Sequence, residues 1–505
     1  MIGGITAAPA SVVPTPELSP RTRLLLHGPI LPTLLRLSWP NVLLMLVQSS
    51  TGLIETWWVS RLGTEALAGM AIVFPCVMLM QMLSAGSLGG GISSAVARAL
   101  GAGRREEADA LVIHSVVVNA ALGAAFSVAA LLLGPSLYRA LGGRGASLEA
   151  ALHYSNVVFA GNVLLWVMNA LASVVRGTGN MLVPALITCG GLVVLVPLSP
   201  CLIFGVGPFP ALGVAGGGAA LVLYYAIGTA VLAWYVLSGR NLARLRPARL
   251  RWAPLADILR VGGLGAISSL QTNVVVAVTT ALVAANAGAD AIAGFGTGAR
   301  LEYLLIPLVF GLGAPLVALV GTNIGAGQRA RAVRIAFVGG ALAFALTEAI
   351  GLTAALWPRA WLGLFGNAAG MIGTGTQYLR IVGPAYGFFG LGLALYFASQ
   401  GAGRLLWPLG AGVLRVLVAI GVGWFLLRET GTLSWLFAAL SAGLVLYGAG
   451  VLASVASGTW FSEARPRGST ARGRAGAPAA RSLVDAGHDE LQRLPQRIDA
   501  SCSNP

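Results

Sequence analysis

Of the 505 residues, 56% are hydrophobic and 10% charged, and the mean hydropathy is +0.81, a balance outside that of soluble globular domains. The net charge of +15 comes from 32 basic residues, every one an arginine, against 17 acidic ones. These arginines sit in short loops between apolar stretches and form no basic face with interleaved aromatics, which argues against nucleic acid as a partner and for a lipid bilayer as solvent.

Residues 1–32 contain prolines, Arg21 and Arg23 but lack the compact apolar stretch and small-residue cleavage site of a signal peptide, so they read as a cytoplasmic N-terminal segment. A hydrocarbon core of about 30 Å needs about twenty apolar residues per helix. Six such windows follow, at 33–58, 66–97, 111–134, 152–175, 181–206 and 212–238, making a first lobe over 33–238. A cytoplasmic loop over 239–253 leads to six more, at 254–286, 289–320, 335–357, 376–399, 405–427 and 431–457, making a second lobe over 254–457. The expected fold is an all-α membrane protein of twelve transmembrane helices in two six-helix lobes. Residues 458–505, rich in Arg, Ala, Gly, Ser and Pro, cannot bury an apolar core and are expected to be a disordered cytoplasmic tail.

Arginines in alternate loops set the orientation. One side carries thirteen, including Arg98, Arg104, Arg176, Arg249 and Arg331; the other carries five, Arg61, Arg139, Arg144, Arg359 and Arg428. The positive-inside rule places the thirteen in the cytoplasm, and an even number of spans places both termini there.

An internal repeat relates the lobes. Arg176-Gly-Thr-Gly-Asn-Met-Leu-Val-Pro184 matches Gln400-Gly-Ala-Gly-Arg-Leu-Leu-Trp-Pro408 at a shift of 224, and Val96-Ala-Arg-Ala-Leu-Gly-Ala-Gly-Arg104 matches Val320-Gly-Thr-Asn-Ile-Gly-Ala-Gly-Gln328 at the same shift. Ala66-Leu-Ala-Gly69 matches Ala291-Ile-Ala-Gly294 at 225, and Tyr154 matches Tyr378 at 224. Because six is even, the copies enter the membrane from the same side. Such parallel repeats are typical of transporters that hold their site between the halves.

Ionisable groups inside a bilayer cost about 2.5 to 3.5 kcal/mol each and are functional candidates by default. In the first lobe, Glu55 is the one carboxylate well inside a span. Asn41, Gln48 and Glu55 step by seven and so share a helix face, with Thr51 between them. Glu55 is then expected to bind a proton or a cation, with Gln48, Thr51 and Asn41 supplying hydrogen bonds or ligand oxygens; the alternative is that it caps the outer helix end and pairs with Arg61. An acid in hydrocarbon holds a proton or an approaching cation, so the two would compete for it. Pro40, which removes a backbone hydrogen bond, is a hinge candidate or a static kink.

In the second lobe Arg300, Glu302, Glu348 and Arg415 lie near mid-depth by residue count, and their balanced charges predict pairing between helices. Gln271 and Asn273 on the seventh span join them as substrate or relay candidates. The positions 224 earlier than the four charges are Cys76, Met78, Ala124 and Gly191, so the lobes have different jobs. Met70, Met78, Met80 and Met82 on the second span suit varied apolar ligands, or simply core and lipid contacts. The four cysteines and four histidines are scattered without metal-binding spacing, the histidines reading as loop or helix-end residues, and the glycine runs at 86–91 and 216–218 lack a following Gly-Lys-Ser/Thr. No metal, cofactor, ATP drive or catalytic machinery is therefore expected; the chain reads as a non-enzyme.

Gly52-Leu-Ile-Glu-Thr-Trp-Trp-Val-Ser-Arg-Leu-Gly-Thr-Glu-Ala-Leu-Ala, Ala97-Arg-Ala-Leu-Gly-Ala-Gly-Arg-Arg and Arg176-Gly-Thr-Gly-Asn resemble the multidrug and toxic compound extrusion family over roughly residues 33–457. The resemblance implies lobes arranged as a V in the bacterial cytoplasmic membrane. It further implies export of organic cations, drugs and metabolites in exchange for Na⁺ or H⁺. In that family the first helix usually carries Asp where Glu55 stands. Many relatives read Asn-x-x-x-Asp-Pro on the fifth helix, where Leu195 and Ser199 stand here. With an amide and an acid replaced, H⁺ is favoured over Na⁺ as coupling ion. The expectation is a monomeric H⁺-coupled exporter of small organic molecules working by alternating access. The runner-up is a flippase for lipids or lipid-linked precursors, for which Arg300, Arg380 and Arg415 would line the cavity.

Overall fold

The computed structural model describes residues 19–458 and 460, and these contain helices and no strand. After a short α1 (Pro20–His27), α2 (Ile30–Ser60) is the first span; α3 (Thr64–Gln81), a π-helical segment Met82–Leu88 and α4 (Gly89–Gly101) form the second. Next come α5 (Arg105–Ala140), the pair α6 (Gly145–Ala160) and α7 (Asn162–Gly177), α8 (Leu182–Phe204) and α9 (Val214–Leu237). The second lobe holds α10 (Trp252–Asn286), α11 (Ala289–Gly325), α12 (Arg329–Leu356), a short α13 (Pro358–Leu362), and α14 (Ala369–Val382), which continues through a 3₁₀ turn into α15 (Tyr386–Ala402). It closes with α16 (Leu406–Val416), a π segment Leu417–Val422, α17 (Gly423–Thr430) and α18 (Leu433–Ala456).

Eleven helices are long and apolar enough to cross a membrane, and twelve if α6 and α7, bent by 47°, count as one span. Twelve spans are what the hydropathy windows anticipate. Several helices run past their windows because the polar residues beside the apolar core continue the helix: α5 begins at Arg105 with Glu106 and Glu107 in its first turn, where acidic side chains favour a helix N-terminus. Most of the tail expected to be disordered, 459 and 461–505, lies outside the described residues, as do residues 1–18.

The duplication is visible contact by contact. A β-carbon added at Gly69 would meet Ser147, Ala150 and Ala151, and one added at Gly294 would meet Met371, Thr374 and Gly375, the same three places in the second copy. Gly177 lies against the Ser93 carbonyl and Gly401 against the Val317 carbonyl, again 224 apart.

The lobes meet where α4 crosses α11. A β-carbon on Gly101 would stand 2.0 Å from the Thr322 carbonyl oxygen, and one on Gly325 would stand 2.1 Å from that of Arg98. Since 98 and 322, and 101 and 325, are repeat-equivalent, this is a pseudo-twofold contact of backbone on backbone, which only glycine allows. Charge breaks the symmetry. The Arg98 guanidinium reaches Asp257 of α10 at 2.6 Å and the Gly401 carbonyl at 3.2 Å, and also donates to Ser94, whose hydroxyl donates to the Gln400 carbonyl at 2.5 Å. These contacts close the arginine-rich end.

Two helices cross between the lobes there. Leu25 of α1 and Leu34 of α2 are buried in the second lobe's core with Leu316 and Leu319, and the Asn323 side chain donates to the Leu25 carbonyl at 3.1 Å. Further along α2, Val47 packs on the first lobe's core, and Val59 joins Ala66 and Ile203. Reciprocally, Ile258 of α10, the repeat partner of Leu34, is buried in the first lobe's core. Sequence windows alone assign each of these helices to a single lobe. α1 itself forms because Ser19 caps it, accepting from Thr22 N at 3.1 Å, and Pro20 starts it.

The linker before α10 is strapped to α5: Asp109 accepts from Arg244 N at 2.7 Å and His114 Nε2 accepts from Arg251 N at 2.9 Å. His114 is therefore a buried, satisfied residue rather than one at a loop or helix end.

Leucine at Gly325 must push α4 off α11. Gly325→Leu is expected to lower transport at least tenfold at matched membrane abundance. Asp257→Asn removes only a half-exposed ion pair, worth about 0 to 1 kcal/mol, and is expected to stay within about fivefold of wild type in the same uptake or efflux assay.

Candidate transport site

Glu55 lies five residues before the end of α2 and faces α8. Its Oε2 accepts a hydrogen bond from the Ser199 hydroxyl at 2.7 Å, while Oε1 is buried with no partner among the described residues. One turn on, the Trp58 indole nitrogen is also buried and unpartnered, its ring edge-on to Phe204 at 6.3 Å. The carboxyl group thus sits inside the first lobe with one oxygen held and one free, and no ion-pair partner is found among the described residues.

The companions read from the seven-residue stepping are elsewhere. Thr51 is buried but donates to the Val47 carbonyl of its own helix at 2.8 Å. Asn41 is buried with its amide nitrogen unpartnered, and Gln48 is exposed. A shared face does not make a shared depth: fourteen residues of helix rise by about 21 Å. Pro40 is buried in the stretch between Leu37, packed on the second lobe's core, and Val47, packed on the first's. The alternative pairing of Glu55 with Arg61 is not formed, since Arg61 stacks on Trp57 with 4.7 Å to the ring centroid. Ser199, legible in the sequence only as a missing acid, is the residue that holds Glu55.

In the second lobe the four buried charges expected to pair resolve into one pair. Arg415 and Glu302 are 3.0 Å apart, and the guanidinium lies over the rings of Phe389 and Tyr447 at 5.4 and 5.8 Å. Tyr378 donates to Glu302 at 3.5 Å and receives from Tyr386 at 3.4 Å. Arg300, two residues from Glu302, faces away from it: it is exposed and stacks on Phe365. Glu348 accepts from Gly387 N at 2.7 Å in the first turn of α15, which makes it a helix-end acid instead of a member of a charge network.

Gln271 donates to the Leu409 carbonyl at 3.5 Å and borders a pocket beside Arg415. Asn273 donates to Ser269 on its own helix and lies 3.9 Å from the Met82 sulfur, joining α10 to the π segment of the other lobe. Of the methionines, Met80 is fully buried and Met78 is exposed. The repeat comparison sharpens the difference between lobes. Tyr154 and Tyr378 are repeat-equivalent, and Tyr378 bonds an acid of α11, Glu302, whose repeat position in the first lobe is Met78. At the place equivalent to Glu55 the second lobe carries Thr279, buried with its hydroxyl unpartnered. Arg98 and Gln400 stand in the repeat motifs and Ser94 just before one; no residue-level signal marks them as the lobe closure.

Comparison with known proteins places this arrangement. The profile of the MatE family matches residues 40–201 and 266–425. The FAD transporter of Shewanella oneidensis is 27% identical over 381 residues, 74% of this chain and 82% of that one. The probable multidrug resistance protein NorM of Deinococcus radiodurans is 28% identical over 443 residues, 82% of this chain and 92% of that one. A crystal structure of a MATE protein in the bent conformation superposes with a TM-score of 0.80 at 25% identity, covering 88% of this chain and 100% of that one; one in the straight conformation gives 0.77 at 25%, covering 87% and 99%. With a family profile matched on both lobes and the same two-lobed fold, the chain belongs to the multidrug and toxic compound extrusion (MATE) family and is a multi-pass membrane transporter, not an enzyme.

Proposed function

We propose that the protein exports organic molecules, drugs among them, in exchange for protons by alternating access, with Glu55 as the proton carrier. The observation that carries this is the Glu55 carboxyl group: half-buried on a membrane span, held by one hydroxyl on Oε2, with Oε1 buried and unpartnered among the described residues. One serine and one acid can take and release a proton. They fall well short of the several oxygen ligands that hard cations take, which favours H⁺ over Na⁺. The names of the relatives, a FAD transporter and probable multidrug resistance proteins, support organic cargo without fixing its class.

The arginine-rich end is assigned to the cytoplasm by the positive-inside rule, so the closed arrangement at Gly101 and Gly325 is the outward-facing one. α2 then links site to gate: it holds Glu55 at one end, is bedded in the second lobe at the other, and has Pro40 between. The protein acts as a monomer in this reading. The flippase alternative is weakened by the engagement of Arg415 with Glu302 and of Arg300 with Phe365, two of the three arginines it would set along one cavity.

Two measurements test the proposal. Glu55→Gln is expected to reduce efflux driven by an imposed pH gradient in vesicles at least tenfold, with Glu55→Asp retaining part of it; undiminished efflux in the Gln variant removes Glu55 from the mechanism. Pro40→Ala is expected to slow turnover at least fivefold while cargo binding to the purified protein changes less than twofold, whereas a static kink predicts no kinetic effect.

A further inference from the structure

The second lobe holds a small pocket of mixed lining, about 20 Å³ in volume, with Ser268, Gln271, Thr272, Arg415 and Tyr447 on its polar side and Val275 and Val416 among its apolar walls. Arg415 is its one charged wall residue and is 6% exposed. A guanidinium offers five N–H donors. Among the described residues Glu302 is the single hydrogen-bond acceptor Arg415 meets, at 3.0 Å. Two aromatic rings fix the plane of the group without accepting its other protons in line. The cation is thus immobilised and short of acceptors, and it borders a space lined with further donors.

Gly412 makes room for the Gln271 side chain, whose amide oxygen would stand 2.3 Å from a β-carbon there. Gln271 itself is held only by a 3.5 Å contact with the Leu409 carbonyl, so its amide can turn toward a better acceptor. At the equivalent place in the first lobe stands Gly191, which borders an apolar groove between α8 and α9.

We propose that this pocket binds an oxyanion, the carboxylate or phosphate of an amphipathic molecule, with Arg415 as its charge partner and Gln271 and Thr272 as additional donors. Glu302 is the internal counter-ion that makes a buried arginine tolerable while the pocket is empty. An arriving oxyanion takes the unused edge of the guanidinium, for which the planar fork is suited, and competes with Glu302 for its charge. The inference deepens the export reading by naming a cargo class for the second lobe, and it is tested by binding rather than transport, so the two can fail separately.

The experiment uses the full chain in nanodiscs of zwitterionic lipid, titrated with a fluorescent long-chain carboxylic acid and with its methyl ester. The acid is expected to bind at least tenfold more tightly than the ester. Gly412→Ala, which displaces the Gln271 amide and leaves the ion pair in place, is expected to weaken the acid at least tenfold and leave the ester unchanged. Glu302→Gln, which keeps an acceptor for Arg415 but removes the competing charge, is expected to tighten the acid at least threefold. Equal affinity for acid and ester, or weaker acid binding in the Glu302→Gln variant, overturns the proposal. Displacement of the acid by anionic phospholipid in the disc assigns the site to a lipid headgroup; binding unaffected by such lipid assigns it to cargo, and in both cases the oxyanion site stands.

Discussion

Backbone lies against backbone where Gly101 meets Thr322 and Gly325 meets Arg98, and the relation of the lobes depends on that contact. Lipid tails are as apolar as leucine, so nothing squeezes two membrane helices together; association has to come from close packing and from polar groups that find partners. Four residues on a pseudo-twofold axis provide the first, and Arg98, Asp257, Ser94 and Gln400 the second. The apposition closes one end of the molecule and leaves Glu55 and the Glu302–Arg415 pair in separate lobes, each built on its own helices.

The two lobes, though copies of one another, place their acids at positions that are not equivalent, Glu55 against Thr279 and Glu302 against Met78. In the first lobe the acid has no cationic neighbour within reach and keeps one oxygen free. In the second the acid is committed to a guanidinium. One lobe thus holds an acid on a single hydroxyl, and the other holds an acid in an ion pair with an arginine.

Much of this was legible before any coordinate. Hydropathy located the twelve spans because a bilayer allows few lengths, and the motif at 176–184 returning at 400–408 located the duplication. Glu55 stood out as an acid in an apolar span. Its true partner did not, because Ser199 is 144 residues away and a serine in a membrane helix is unremarkable by itself. The seven-residue stepping of Asn41, Gln48 and Glu55 misled, since periodicity reports the side of a helix and is silent on depth. Arg300 and Glu348 look like Glu302 and Arg415 in sequence; one stacks on Phe365 and the other caps α15, a difference set by which neighbours surround each helix turn. The burial of Leu34 and Ile258 in opposite cores leaves no mark on composition, because both lobes are equally greasy.

That exchange has the form of a swapped dimer fused into one chain: each half lends the opening turns of its leading helix to the other, as identical protomers do when they trade arms. The halves are therefore tied by two struts, and spreading them at the closed end must flex both. α2 carries Pro40 on its strut, while α10 has Leu264 at that place, flanked by Gly262, Gly263 and Gly265. Proline deletes a rung of the helix ladder and glycine loosens the backbone by about 1 kcal/mol relative to alanine. The two struts thus carry different chemistry at the same level, and any parting of the halves has to be absorbed by both arms or by the beds they lie in.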